Sequence, residues 1–249
     1  MEVLSFKNVS KNYCNNGEEL PVLKDIEFNL LEGEIIAITG PSGSGKTTIL
    51  NLISGLLKPS IGKIEANGEI GYMFQRDHLF EWRTVYDNII IGLEIKKKLT
   101  EENIKKINRM LDVYGLKDFK DSYPNELSGG MRQRVALIRT LAVNPSILLL
   151  DEPFAALDYQ TKLKVCDDMY KIIKGEKKAT IIVTHDITEA ISIADKVIVL
   201  SPRPARIKKM YSINLTTNGE RTPFKSRSAK EFKDYFNSIW QELNNNEDL

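Results

Sequence analysis

The run "EIIAITGPSGSGKTTIL", Glu34 to Leu50, constrains the fold more than any other stretch. A short β-branched segment ends at Gly40, and the pattern Gly40-x-x-x-x-Gly45-Lys46-Thr47 follows before a helical pattern begins. Glycines at such a strand-to-helix turn let backbone N–H groups point inward around phosphate oxygens. Gly40, Pro41, Ser42, Gly43, Ser44, Gly45, Lys46, Thr47 and Thr48 are therefore the expected nucleotide cradle. Lys46 would reach the β- and γ-phosphates, and the Thr47 hydroxyl would ligate Mg²⁺. The alternative is a Gly-rich turn that only caps a helix; the complete pattern in its strand–loop–helix context favours phosphate. The helix is expected over about 45–57, stopping before Pro59.

A second element fits the first. "SILLLDEP" carries an apolar strand that delivers Asp151 to its carboxyl end, where ligands of parallel sheets gather. Asp151 is expected in the Mg²⁺ shell. Glu152 follows directly and is expected to accept a proton from an attacking water. Taken alone, Asp-Glu-Pro would read as a helix-start cap.

The rest of the chain is organised around these two strands. "VLSFKNVS" and "IEFNL" alternate like strands with turn signals between, and "EIGYMFQ" reads as another buried strand. From Asp77 to Leu141 the pattern changes. Ile104, Ile107, Leu111 and Tyr114 recur at helical spacing with Gly115 as a C-cap, and a further helix is expected over 129–142. Strands resume at "ILLLD", "TIIVTH" and "KVIVL" with helices between, which argues for a mostly parallel sheet. The expectation is one α/β domain over 1–249: a P-loop core, an N-terminal antiparallel β subdomain and a helical insert over about 77–142.

Charge and composition exclude some classes. Lys+Arg 35 against Asp+Glu 34 gives a net charge of +1, without the basic excess typical of nucleic-acid binders. Cys14 and Cys166 suggest neither a disulfide framework nor a metal site. "MEVLSFKNVSKNY" has no apolar signal-peptide core, and runs such as "ILLLD" and "IIIGL" are too short to cross a bilayer. Any membrane role would come through a partner. The tail, about 202–249, is basic: 202–233 holds nine Lys/Arg and two Glu. It reads as solvated surface, with contact to a membrane-facing partner as the alternative.

"LSGGMRQRVALIRTL", Leu127 to Leu141, offers a second turn-to-helix anion cradle, with Ser128 lying 81 positions after Thr47 (128 − 47). Leu127-Ser128-Gly129-Gly130-Met131-Arg132-Gln133 resembles the signature motif of ABC transporter ATPases, and P-loop, signature and Asp-Glu strand end occur in that family's order. The resemblance covers nearly the whole chain. It implies two ATPase domains packed head-to-tail, with Ser128, Gly129 and Gly130 of one copy closing on the γ-phosphate held by the other. ATP and Mg²⁺ would be the bound cofactors. It further implies that Tyr13 stacks on adenine, the alternative being a half-buried strand-end tyrosine. Gln75 would touch Mg²⁺ and water and join the core to the insert. His185, closing "TIIVTH", would contact the γ-phosphate and orient water, whereas His78 has no such context. "AALD", Ala155 to Asp158, matches the loop that communicates across the dimer, with Ala155 or Ala156 where a serine is frequent, which would leave backbone and Asp158 contacts.

Two segments resemble importers of the nitrate, aliphatic sulfonate and taurine group. One is "DHLFEWRTVYDNIIIGLE", with Glu81 where proline is common; the other is "LSPRPARI". The implied assembly is a homodimer on two separate permease chains at the cytoplasmic face of the membrane, with a solute-binding protein acting indirectly. Trp82 and Tyr86 would line the apolar groove for a permease helix, or else pack the insert. The alternatives are a soluble ABC ATPase acting on ribosome or nucleic acid, and an exporter ATPase.

Overall fold

The computed structural model describes residues 1–15, 18–155 and 157–244. In chain order the elements are β1 (Glu2–Asn15), β2 (Glu18–Leu31), β3 (Ile35–Thr39), α1 (Lys46–Ile53), β4 (Ile61–Ala66), β5 (Ile70–Met73), α2 (Val85–Ile95), α3 (Glu101–Val113), α4 (Gly129–Ala142) and β6 (Ile147–Asp151). There follow α5 (Tyr159–Gly175), β7 (Ala179–Val183), α6 (Ile187–Ile193), β8 (Lys196–Leu200), β9 (Ile207–Ser212), α7 (Pro223–Ser226) and α8 (Phe232–Asn244).

The central sheet has the order β5-β6-β7-β3-β8-β9 and is parallel except for β9. All residues of β3, β6 and β7 are buried, as a parallel sheet covered on both faces requires. The strand period of two divides them between two cores. Ile35, Ala37, Leu148 and Leu150 face one side, packed with α2 to α6 and α8. Ile36, Ile38, Ile147 and Leu149 face the other, packed with α1 and the small antiparallel sheet β2-β1-β4. The mixed architecture expected from the sequence is thus present, with helices α2 to α4 forming the insert.

Several local expectations change. Helix α1 ends at Ile53, four residues early, because Gly55 adopts φ +76°. Strand β5 ends at Met73, so Gln75 stands in the following loop rather than on the strand. Strands β4 and β9 have no clear periodic signal; helix α8 has one that went unread, with Phe232, Tyr235, Phe236, Ile239 and Leu243 at helical spacing and packed on the core. The basic tail is not merely solvated surface. Its β9 pairs antiparallel with β8, and Arg221 donates to the carbonyls of Ile191 and Ala194 at 3.2 and 2.7 Å. Residues 245–249 of that tail, and Ala156, lie outside the described residues. No described helix is long and apolar enough to cross a membrane.

The loop before α2 has its own scaffold. Asn88 is fully buried. Its Oδ1 accepts from the Phe80 N–H at 2.7 Å, while its Nδ2 donates to the carbonyls of Phe80, Arg83 and Thr84 at 3.1, 3.1 and 2.9 Å. One amide side chain therefore fixes the turn that presents Trp82, which is 74% exposed. Tyr86 instead packs partly against the helical core, which is the packing alternative raised from the sequence. Arg132 on α4 ties the insert to the core-side loop, donating to Asp77 at 2.7 and 3.1 Å. Burial opposes ionisation of Asp77, but these bonds outweigh it and hold its carboxyl below the ordinary value.

Candidate functional site

The site forms where β3, β6 and β7 end. The loop 40–45 leaves β3 and enters α1 through Gly45 at φ +92°, after Gly43 at φ +76°. These left-handed conformations need glycine. Helices α2 to α6 each begin with a side-chain cap, from Thr84, Thr100, Ser128, Asp158 and Asp186. The N-terminus of α1 has none. Its first N–H groups therefore remain for an anion. The buried Ser44 Oγ beside them also lacks a partner.

Lys46 is the cation of this cradle. Its side chain folds back over the loop, and Nζ donates to the carbonyls of Gly40 and Pro41 at 2.8 and 2.9 Å. Burial pushes its pKa down, while the charges of Glu152 and Asp151 work the other way. The next residue reaches the neighbouring strand: Thr47 Oγ1 donates to Asp151 Oδ2 at 3.2 Å. Asp151 is buried, and its carboxyl is pushed up, first by burial and further by Glu152. A hydroxyl and a carboxylate oxygen side by side, with a destabilised negative charge, fit a Mg²⁺ that takes its remaining ligands from phosphate and water. Among the described residues no larger cluster of metal-ligating side chains exists.

Glu152 lies one residue beyond β6 with φ +45°, its N–H donating to the Val183 carbonyl at 2.9 Å. That backbone turn aims its carboxylate across the loop. Gln75 Nε2 donates to Glu152 Oε2 at 3.2 Å, and His185 Nδ1 stands 3.3 Å from Oε1. Three residues expected from the sequence thus meet at one carboxylate. Such a carboxylate can take a proton from a water held beside the cradle.

A cavity of about 630 Å³ joins these groups. Its walls include Ser42, Gly43, Lys46, Thr47, Glu152 and His185. Tyr13 closes another part, with its hydroxyl 3.4 Å from Thr48 Oγ1. The sequence reading missed Leu20 and Val22 from β2, and Arg203, as wall residues. Arg203 lies in the run "SPRPAR" after β8, and only folding carries it to Gly43. A Cβ built on Gly43 would sit 3.1 Å from the Arg203 guanidinium. Tyr72 was also missed: from β5 its hydroxyl donates to Asn51 Oδ1 at 3.3 Å, and burial, with the charge of Asp151 nearby, pushes its hydroxyl pKa up.

The second cradle does not join this cavity. Ser128 caps α4, accepting from the Met131 N–H at 3.3 Å, and Ser128 and Gly129 are exposed. Gly130 is buried, where a Cβ would come within 2.8 Å of Val165. Asp158 caps α5, accepting from the N–H groups of Gln160 and Thr161 at 3.1 Å each. None of these four residues lines the nucleotide cavity.

Sheet, uncapped helix and carboxylate together define a P-loop nucleoside-triphosphatase. The family model described as ABC transporter matches residues 23–155. An uncharacterised ABC transporter ATP-binding protein of Bacillus subtilis is 42% identical, over 98% of this chain and 96% of its own. A taurine import ATP-binding protein of Jannaschia sp. is 40% identical over 88% and 85%, and a nitrate import ATP-binding protein of Synechocystis sp. 38% over 95% and 93%. A solved dimeric ATP-binding cassette in a post-hydrolysis state, bound to ADP and Pi, superposes with a TM-score of 0.71 at 33% identity, covering 85% of this chain and 99% of that one. The chain belongs to the ABC transporter family and is one of its ATPases.

Proposed function

We propose that this chain is the ATP-hydrolysing subunit of an importer, working as a head-to-tail homodimer around two ATP. It drives uptake of a small anion through separate permease subunits at the cytoplasmic face of the membrane. The observation that carries the dimer is the separation of the two anion cradles. Lys46 and Glu152 line one cavity, while Ser128 and Gly129 are exposed outside it. A second copy can bring its own Ser128 and Gly129 N–H to the γ-phosphate, and Asp158 lies on the surface available for contact between copies. The dimeric cassette bound to ADP and Pi supports the same reading.

Within each site Lys46 swings from the Gly40 and Pro41 carbonyls onto the β- and γ-phosphates. Tyr13, with Leu20 and Val22 beside it, takes the adenine. Thr47, Asp151 and the Gln75 carbonyl oxygen would hold Mg²⁺, which would neutralise charge on the phosphates. Glu152 accepts the proton of the attacking water, whose oxygen bonds to the γ-phosphorus as the bond to the bridging oxygen of ADP breaks. His185, fixed against Glu152, orients that water. Lys46 and the opposing Ser128 stabilise the charge on the transferring phosphoryl oxygens. Half of each site then belongs to the other copy, so hydrolysis is coupled to opening of the dimer.

The anion class rests on relatives named for taurine and nitrate import. The 74% exposed Trp82, held out by the Asn88-braced turn, is the contact for a permease helix. The test is to tag the Glu152→Gln chain in its native cell and identify what copurifies from solubilised membranes with ATP. A multi-span membrane protein is the expected partner. Ribosomal or DNA-associated partners alone would refute the importer reading.

A further inference from the structure

A second cavity, of about 790 Å³, opens on the side of the molecule where the insert meets the core helix α5. Two helical stripes face each other across it. Lys106, Arg109, Met110 and Val113 follow the i, i+3, i+4, i+7 rhythm on α3. Lys164, Asp168, Lys171 and Gly175 follow the i, i+4, i+7, i+11 rhythm on α5. Arg134 of α4 lines it between them, and Lys177 stands at the α5 end.

The charge balance of this cavity is unlike that of the whole chain. Six cations line it against two carboxylates, and both carboxylates are already engaged. Glu176 pairs with Lys106 at 3.2 Å, and Asp168 lies 3.5 Å from Arg134. Arg109, Lys164, Lys171 and Lys177 pair with no carboxylate among the described residues. The Nε of Arg134 is buried without a partner. Four unpaired cations around one concave space repel each other and focus a positive potential into it. One part of the lining is apolar: Met110 is buried, Val113 is 65% exposed and Tyr114 is half-buried, its hydroxyl pKa pushed up by burial.

We infer that this cavity is a binding site for a small organic phosphate, distinct from the nucleotide cradle. The anionic end would lie among Arg109, Arg134, Lys164 and Lys171, and a flat apolar part against Met110, Val113 and Tyr114. The guanidinium forks suit phosphoryl oxygens, and the volume is that of an ordinary small-molecule site. An occupant touches α4, which is capped by Ser128, and α5, which is capped by Asp158, and so bridges insert and core.

The test uses the full chain with its nucleotide cradle saturated by Mg²⁺ and a non-hydrolysable ATP analogue. 1-Naphthyl phosphate is titrated by calorimetry, with 1-naphthol and inorganic phosphate as comparators. One site per chain is expected, weaker for both comparators and weakened by added salt. Arg109→Glu with Lys171→Glu, both on exposed side chains, is expected to lose about tenfold or more in affinity at an unchanged melting temperature. Lys164→Glu with Lys177→Glu should do the same. No binding to the nucleotide-saturated chain, or an affinity in both double variants equal to that of the parent chain, would overturn the inference.

Discussion

Replacing Glu152 by Gln removes one proton acceptor and almost no volume. Glu152 is the one carboxylate among the described residues lining the nucleotide cavity. The amide oxygen of Gln can still accept from Gln75, now 3.2 Å from the carboxylate, so the loop conformation at φ +45° should persist. Stability should not fall, because the charge of Glu152 helps to push up the pKa of buried Asp151. A positioned general base contributes about 10²- to 10⁴-fold, or about 3–5 kcal/mol of barrier. Steady-state ATP hydrolysis should drop by that factor while ATP affinity, assigned to the proposed cradle of Lys46 and Thr47, changes little. Gel filtration with Mg-ATP should then reveal a trapped dimer. Turnover within about threefold of the parent would refute the assignment, and a fall in affinity equal to the fall in turnover would make Glu152 a binding residue instead.

Ser128→Arg should block that ATP-dependent dimer yet leave ATP binding by the monomer intact; loss of monomer binding would refute the cross-subunit role. Asp151→Asn should abolish Mg²⁺-dependent turnover but stabilise the nucleotide-free protein. The folded carboxyl is raised above its ordinary 3.8, so its contribution to stability is complete at low pH and lost as pH rises through the folded value. The stability advantage of Asp151→Asn should therefore be largest at neutral pH and vanish toward 3.8; denaturant titrations at several pH values check this. Asn88→Ala should cost about 2–3 kcal/mol by stranding the Phe80, Arg83 and Thr84 groups, and it should weaken permease capture. Gly45→Ala should cost about 1–3 kcal/mol, since its Cβ would meet Leu23 and Val22 at 2.9 Å with φ at +92°; thermal melts measure it.

Much of this was written locally in the chain. The P-loop, the apolar run into Asp151 and the Ser128 cap of α4 depend on backbone preferences and neighbours within a few residues, so residue types and spacing suffice to read them. Helix α4 spans Gly129–Ala142, the range expected from the sequence. Strand β9 was hidden because it is held by pairing with β8 rather than by its own periodicity, whereas helix α8 was legible in the helical spacing of Phe232, Tyr235, Phe236, Ile239 and Leu243 and simply went unread. Arg203 was quoted within its run, but nothing local tied it to Gly43.

The sequence by itself determined the class of chemistry: a phosphate cradle, a candidate metal-binding pair of side-chain types, a candidate base and a candidate second anion-binding turn. Tertiary structure decided which of them meet. Thr47 finds Asp151 across 104 positions and Gln75 finds Glu152 across 77. Both meetings follow from the strand order β5-β6-β7-β3, in which parallel strands bring distant loops to one sheet edge. The same packing keeps Ser128 out of its own chain's nucleotide cavity and holds α3 opposite α5. Local spacing encodes backbone conformation over a few residues, whereas these relations arise only when the hydrophobic faces of distant elements are buried against each other.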